Sequence, residues 1–365
     1  MERYRDRSVS QISCALPFLL PGLYSPAEHF MNVFELTQAL VDIESITGNE
    51  APAGDYVARR LSPLVARHNG TLERITVEGT RFNVFASWGD PLVTLSTHLD
   101  TVPPFFASSE DDEFIYGRGA CDTRGIIASM ICAVEDLVDA GVRGVALLFV
   151  VGEERNSAGA FHAARDGRGS RFLINGEPTE NKLAVGSKGA LRMEVVASGR
   201  MAHSAYPELG DSAINKLLDV LAEIRKVPLP VDALLGASTL NIGTIGGGRA
   251  PNVIADEARA ELLIRLVDDG EATRQAVHAA AEGKAEIHDI LGIPAAHLGS
   301  LPGFETTVVA YTTDIPAFGG AWGEPYLLGP GSIHFAHTTE ERVPKRELTE
   351  AVEIYKRMVQ QLLRG

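Results

Sequence analysis

Three apolar runs in the first half of the chain each end in a carboxylate. Leu92-Val93-Thr94-Leu95 leads to His98-Leu99-Asp100, Val145-Ala146-Leu147-Leu148-Phe149-Val150-Val151 to Gly152-Glu153-Glu154, and Phe172-Leu173-Ile174 to Asn175-Gly176-Glu177. Continuous apolar runs of this length read as strands buried on both faces of a parallel sheet. Helical periodicity separates them: Ile126, Ile127, Met130, Ile131, Val134, Leu137 and Val138, stopped at Gly141, then a short helix over Ala158–Ala164. Strands alternating with helices predict an α/β fold with a mostly parallel sheet covered on both faces. Ligands of such sheets collect outside the carboxyl ends of the strands, and that is where these acids fall. A solvated surface does not explain buried runs that terminate repeatedly in carboxylates.

The flanking segments fit the same scheme. A short amphipathic helix follows Val33 through Leu36, Leu40 and Ile43, and Asn49 suits the cap of a second through Tyr56, Val57 and Leu61. Thr71 to Ala86 alternates like two strands, and a closing helix carries Leu348, Val352, Tyr355, Val359 and Leu362 on one face. From about Gly189 the pattern changes. Half-exposed strands (Ala190–Ser198, Ser238–Ile245, Ala258–Val267, Ala285–Ile290) mix with helices, one capped by Asp211 and one over Glu271–Ala281. The expected organisation is a catalytic domain of residues 31–187 and 298–365 with a smaller α+β module, 188–297, inserted in it.

Composition narrows the function. With 33 Lys+Arg against 48 Asp+Glu, the 365-residue chain carries a net charge of −15, which argues against a nucleic-acid partner. The apolar stretch Ile12–Leu20 is too short to span a membrane and lacks a clear signal-peptide cleavage site. Met31 opens a more typical enzyme start, so residues 1–30 read as an upstream reading frame or a disordered tail, and the protein as cytoplasmic. Cys14, Cys121 and Cys132 form no paired spacing, which fits a reducing compartment, with Cys121 a small packed residue.

On an extended chain alternate side chains share a face, so His98 and Asp100 can reach one site. Asp122 follows a glycine-studded loop where a helix begins. With Glu154, Glu177 and His337 these give a candidate ligand set of two imidazoles and three carboxylates: His98, Asp122, Glu154, Glu177 and His337. That donor set suits zinc, with cobalt or manganese as alternatives. Three carboxylates exceed what one tetrahedral ion needs and fit two ions sharing a bridge, roughly 3.5–4 Å apart. His334, three residues before His337, is a competing ligand.

The segments HLDTVP, GRGACDTRG, GEER, GEPT and GPGSIHFAHTTEE, in this order, resemble the motifs of the acetylornithine deacetylase, succinyl-diaminopimelate desuccinylase, aminoacylase and carboxypeptidase G family of dinuclear metallohydrolases. The resemblance implies that His98 and Glu177 hold one ion and Glu154 and His337 the other, with Asp122 bridging. It implies that Asp100 orients His98 through a hydrogen bond, and that Glu153 moves a proton from water to the leaving amine. It makes the inserted module a lid that also dimerises, with His203 reaching the partner subunit's site to stabilise an oxyanion. Asn252 and Arg265 would hold a substrate carboxylate and Lys188 a distal group; an arginine in a strand also suits a salt-bridge partner. The expected reaction is removal of an acyl group from an N-acyl-amino acid by a homodimer. A dipeptidase, a carboxypeptidase or a succinyl-diaminopimelate desuccinylase is the alternative, and a non-catalytic binder of the same fold is the reading outside enzymes. Glu153 speaks against the binder, since binding needs ligands but no base.

Overall fold

The computed structural model describes residues 31–364, and the reading of residues 1–30, Cys14 included, lies outside them. Two helices, α1 (Val33–Val41) and α2 (Ala51–Arg67), open the described chain. Asn49 does not cap α2: the cap position is Glu50, and its side chain makes no capping bond. That carboxylate is fully buried and is held by Arg81, whose Nη2 and Nε donate at 2.6 and 2.9 Å.

The first strands of the principal sheet are β1 (Thr71–Glu78), β2 (Arg81–Trp88), β3 (Val93–His98), β4 (Val145–Val150), β5 (Phe172–Asn175) and β6 (Leu183–Ser187). After these come β7 (Gly189–Ser198), β8 (Thr239–Gly247), β9 (Glu257–Leu266), β10 (Glu286–Ile293), β11 (Ala296–His297), β12 (Thr306–Val309) and β13 (Glu324–Leu327). The nine-stranded sheet runs β1-β2-β4-β3-β5-β13-β6-β11, with β12 also pairing β6. Its centre, β4-β3-β5-β13, is parallel, while β1, β2, β6 and β11 each pair antiparallel with the preceding or next strand at the flanks. The sheet is therefore mixed, with its parallel part where the apolar runs predicted it.

Helices cover both faces. The helix α3 (Gly125–Asp139) packs on β3 and β4 and against α1 and α8 (Lys345–Leu362). The opposite face, with Phe85, Ala146, Leu148 and Val150, packs against α4 (Ala158–Ala163) and α7 (Ile315–Phe318). Because the central strands are parallel, the segments after His98, Val150, Asn175 and Leu327 all leave the same edge.

Residues between 189 and 293 build a second sheet, antiparallel in the order β8-β9-β7-β10. One of its faces buries Leu191, Met193 and Val195 against α5 (Ala213–Ile224) and α6 (Glu271–Ala281). Ser212 rather than Asp211 caps α5, accepting from Asn215 N at 3.3 Å, and Asp211 pairs with Lys216. Among the described residues no helix is long and apolar enough to cross a membrane.

Candidate active site

The strand ends converge on one acidic cluster. His98 closes β3 with its ring 1% exposed, and its Nδ1 donates to the Asp100 main-chain carbonyl at 3.0 Å. The Asp100 carboxylate stands farther off, at 3.6 Å, so His98 is oriented mainly by a peptide oxygen and not by the acid. With Nδ1 carrying a proton, Nε2 is turned to Asp122 Oδ1 at 3.0 Å.

Asp100 is fully buried and does something else. Its Oδ1 accepts from Gly152 N and Glu153 N at 2.9 and 3.1 Å, and its Oδ2 from Thr47 Oγ1 and Glu154 N at 2.9 and 3.2 Å. One carboxylate thus satisfies three successive backbone donors of the neighbouring strand end. These donors, with His98, hold its pKa below the usual range although burial works the other way. The segment it clamps is a tight turn, closed by Asn156 N and Ser157 N onto Gly152 O at 3.0 and 2.7 Å. Gly152 takes φ +86°, and a Cβ there would press on Arg81 Nη2 at 2.7 Å, so the turn needs glycine.

Asp122 precedes α3 and is 6% exposed. Its Oδ1 faces His98 Nε2 and its Oδ2 faces His337 Nε2 at 3.2 Å, so it stands between the two imidazoles. Glu154 Oε2 lies 3.0 Å from the same His337 nitrogen. Two donor groups result, His98-Asp122-Glu177 and Asp122-Glu154-His337, each with ligand atoms within 4.8 Å of one another. Asp122 is common to both. His334 is exposed and belongs to neither.

Electrostatics fits this donor set to cations. Glu177 is 4% exposed, and its Oε1 is buried with no hydrogen-bond partner. Burial and the surrounding acids push the carboxyls of Glu177, Glu153 and Glu154 up. Asp122 is driven down, its hydrogen bonds to His337 and His98 outweighing burial. Hydrogen bonds to Asp122 and Glu154 hold His337 up at about 10. An orphaned carboxylate oxygen and crowded acids are the environment that divalent cations satisfy.

Several residues around the site have roles that the sequence did not assign. Glu341, 1% exposed, accepts from Arg118 Nη1 at 2.5 Å and from Asp122 N at 3.2 Å, fixing the backbone of the shared acid. Arg124, fully buried, donates to Leu99 O at 2.6 Å and to Ser45 Oγ, tying the end of β3 to its surroundings. Asp314, 1% exposed with neither oxygen hydrogen-bonded, is pushed up to about 7 by burial. Tyr311 OH donates to Pro178 O at 2.8 Å beside Glu177. Cys121 is buried, as expected, with burial pushing its thiol up.

A cavity of about 510 Å³ opens above the cluster, with Asp122, Glu153, Glu154, Glu177 and His337 in its wall. Arg265 of β9 lines the same cavity. No carboxylate among the described residues pairs with it, and burial alone holds its pKa down. The other three residues assigned to substrate or oxyanion are elsewhere. Lys188 donates its ammonium to Ala237 O at 2.6 Å. His203 and Asn252 are exposed, on neighbouring segments joined by a bridge from His203 to Val253 and by Ser204 N donating to Asn252 O at 3.0 Å. None of the three lines the cavity.

Fold and cluster together are those of a metal-dependent hydrolase of peptide and amide bonds. Residues 94–361 match the model of peptidase family M20/M25/M40, and the chain belongs to that family. It is 40% identical over 343 residues to a peptidase M20 domain-containing protein of Schizosaccharomyces pombe, covering 91% of this chain and 85% of the relative. It is 35% identical over 405 residues to a probable carboxypeptidase of Aspergillus niger, covering 97% and 96%. A crystal structure of a Staphylococcus aureus tripeptidase superposes with a TM-score of 0.75 at 21% identity, covering 92% of this chain and 98% of that one, a likeness of fold.

Proposed function

We propose that the protein hydrolyses the amide bond beside a free carboxylate, releasing an amino acid from a short peptide or an N-acyl-amino acid. The observation that carries this reading is Arg265, a half-buried cation without an acidic partner in the cavity that holds the acidic cluster. An unpaired guanidinium in such a place needs an anion, and a carboxylate matches its fork. Relatives named probable carboxypeptidases favour a peptide over an acetyl derivative as the substrate.

In this reading His98 and Glu177 hold one divalent ion and Glu154 and His337 the other, with Asp122 between them and zinc the first choice over cobalt or manganese. Bound ions there supply Lewis acidity toward the scissile carbonyl and make water more acidic. Glu153 takes a proton from the attacking water and returns it to the leaving nitrogen. Burial and Glu177 raise its proton affinity, the direction a base that must next act as an acid requires. Asp100 keeps the Glu153–Glu154 turn in place through its three backbone bonds. His203 stabilises the oxyanion from a second copy of the chain, and Asn252 moves with it because their segments are bridged. The copies meet along the open edge of β8, where Ile245 is exposed, and the adjoining exposed Ile214 and Leu218 of α5.

The test is a matched pair of substrates, one with a free C-terminal carboxylate and one amidated. The free acid should be cleaved with a kcat/KM higher by roughly 10–100-fold, the worth of a charged hydrogen bond. In Arg265→Met that difference should vanish. Equal cleavage of the two by the wild-type protein would sink the reading.

A further inference from the structure

Large apolar side chains line the cavity beside Arg265. On the four-stranded sheet Arg265 and Ile293 both pair with Ala190, so they form one row across three strands. Paired residues project to the same face, and here it is the face turned away from α5 and α6. The guanidinium and Ile293 are thus neighbours two strand spacings apart, about 10 Å between backbones. Leu291 pairs with Arg192 and shares that face.

A bulge puts these residues there. Asp289 pairs with Met193 and Leu291 with Arg192, leaving Ile290 as the extra residue. Before the bulge, Ile287 packs on the helical core and Asp289 meets His278 of α6 at 3.2 Å. Beyond it the alternation reverses, and Leu291 and Ile293 line the cavity. Phe161 of α4 lines it as well. Phe161 is 59% and Leu291 41% exposed, large apolar side chains left open inside a concave site beside an unpaired cation.

We propose that the amino acid whose carboxylate meets Arg265 carries a large apolar side chain, and that Leu291, Ile293 and Phe161 determine this preference. The proposal rests on the hydrolase reading above and names its substrate class: peptides or N-acyl derivatives ending in residues such as leucine or phenylalanine. Arg155, exposed at the same cavity, makes an acidic side chain the competing outcome.

The experiment uses the full-length, ion-loaded protein and a substrate set with one constant acyl part and terminal Gly, Ser, Asp, Leu or Phe. The Leu and Phe substrates should exceed Ser in kcat/KM by roughly 10–200-fold, the range that apolar pockets achieve. Leu291→Ser and Phe161→Ala should each cut the Leu:Ser ratio several-fold, and Leu291→Met should keep it. Calorimetry on Glu153→Gln should show free leucine binding more tightly than free serine, a readout that needs no turnover. Turnover without an apolar preference, a preference for Asp, or unchanged ratios in both variants overturns the subsite and leaves the hydrolase reading standing. No turnover on any member overturns that reading, and equal binding of leucine and serine overturns the subsite by itself.

Discussion

Asp100, beside the acidic cluster, and His203, outside the cavity, are held in opposite ways. Asp100 is fully buried and accepts from Thr47 and from three consecutive backbone amides, so nothing about it is free to move. His203 is exposed, accepts one bond from Ala205 N at 3.1 Å and leans edge-on toward Tyr206. The half built from strand ends is fixed by the core of one chain. The half built from the second sheet contributes Arg265 to the cavity but leaves His203 and Asn252 outside it. The contrast teaches that the two donor groups are assembled within one chain, whereas the role proposed for His203 requires a contact this chain does not make by itself.

The largest effect should come from the buried half. Asp122→Ala removes the one residue common to both donor groups, so elemental analysis should find both ions lost and hydrolysis at background. Glu177→Ala, by contrast, should release a single ion; loss of one ion in each variant would break the picture of a shared acid.

A smaller effect tests the exposed half. Glu153→Gln should keep its ions and lose roughly 10²–10⁴ in kcat. His203→Ala should also be impaired, yet a mixture of the two proteins should regain part of the activity, because a mixed dimer contains one intact combination. Activity of the mixture equal to the sum of its parts would place His203 outside the reaction.

The smallest effect concerns pH. In the ion-free protein Glu177 and Glu153 have folded-state pKa values above 4.5, so they destabilise the fold progressively as pH rises past 4.5. His337, raised to about 10, stabilises it below 6.5 and loses that contribution as pH climbs toward 10. Both signs agree. At one fixed zinc concentration, chosen as a hundredfold excess over Kd at pH 6 and giving a rise in Tm of roughly 5–10 °C there, the rise should therefore be greater at pH 8. A rise that shrinks with pH would contradict it.

The strand-end acids were legible because each follows an uninterrupted apolar run, and polarity at the end of such a run has few explanations. The far flank of the sheet was not, since β11 and β12 are short and partly exposed and carry no period of their own. Glu341 stands at the end of one of the motifs, yet its role was not legible, because its partner Arg118 lies 223 residues away and no local pattern announces that pairing. Asn49 and Asp211 fitted the local chemistry of helix caps, but the chain puts Glu50 and Ser212 at those positions. The strand expected over Ala285–Ile290 runs from Glu286 to Ile293, and the bulge interrupts its alternation between Asp289 and Leu291.

That extra residue in β10 has an evolutionary consequence. The strand lies on the outside of its sheet, so a deletion or insertion at Ile290 costs no pairing on a second side. Removing it would swing Leu291 and Ile293 toward α6 and bring their neighbours to the cavity, while Asp122, Glu153 and Glu177 stayed where the other sheet holds them. A single indel could thus change the diet of the enzyme in one step and leave its chemistry untouched.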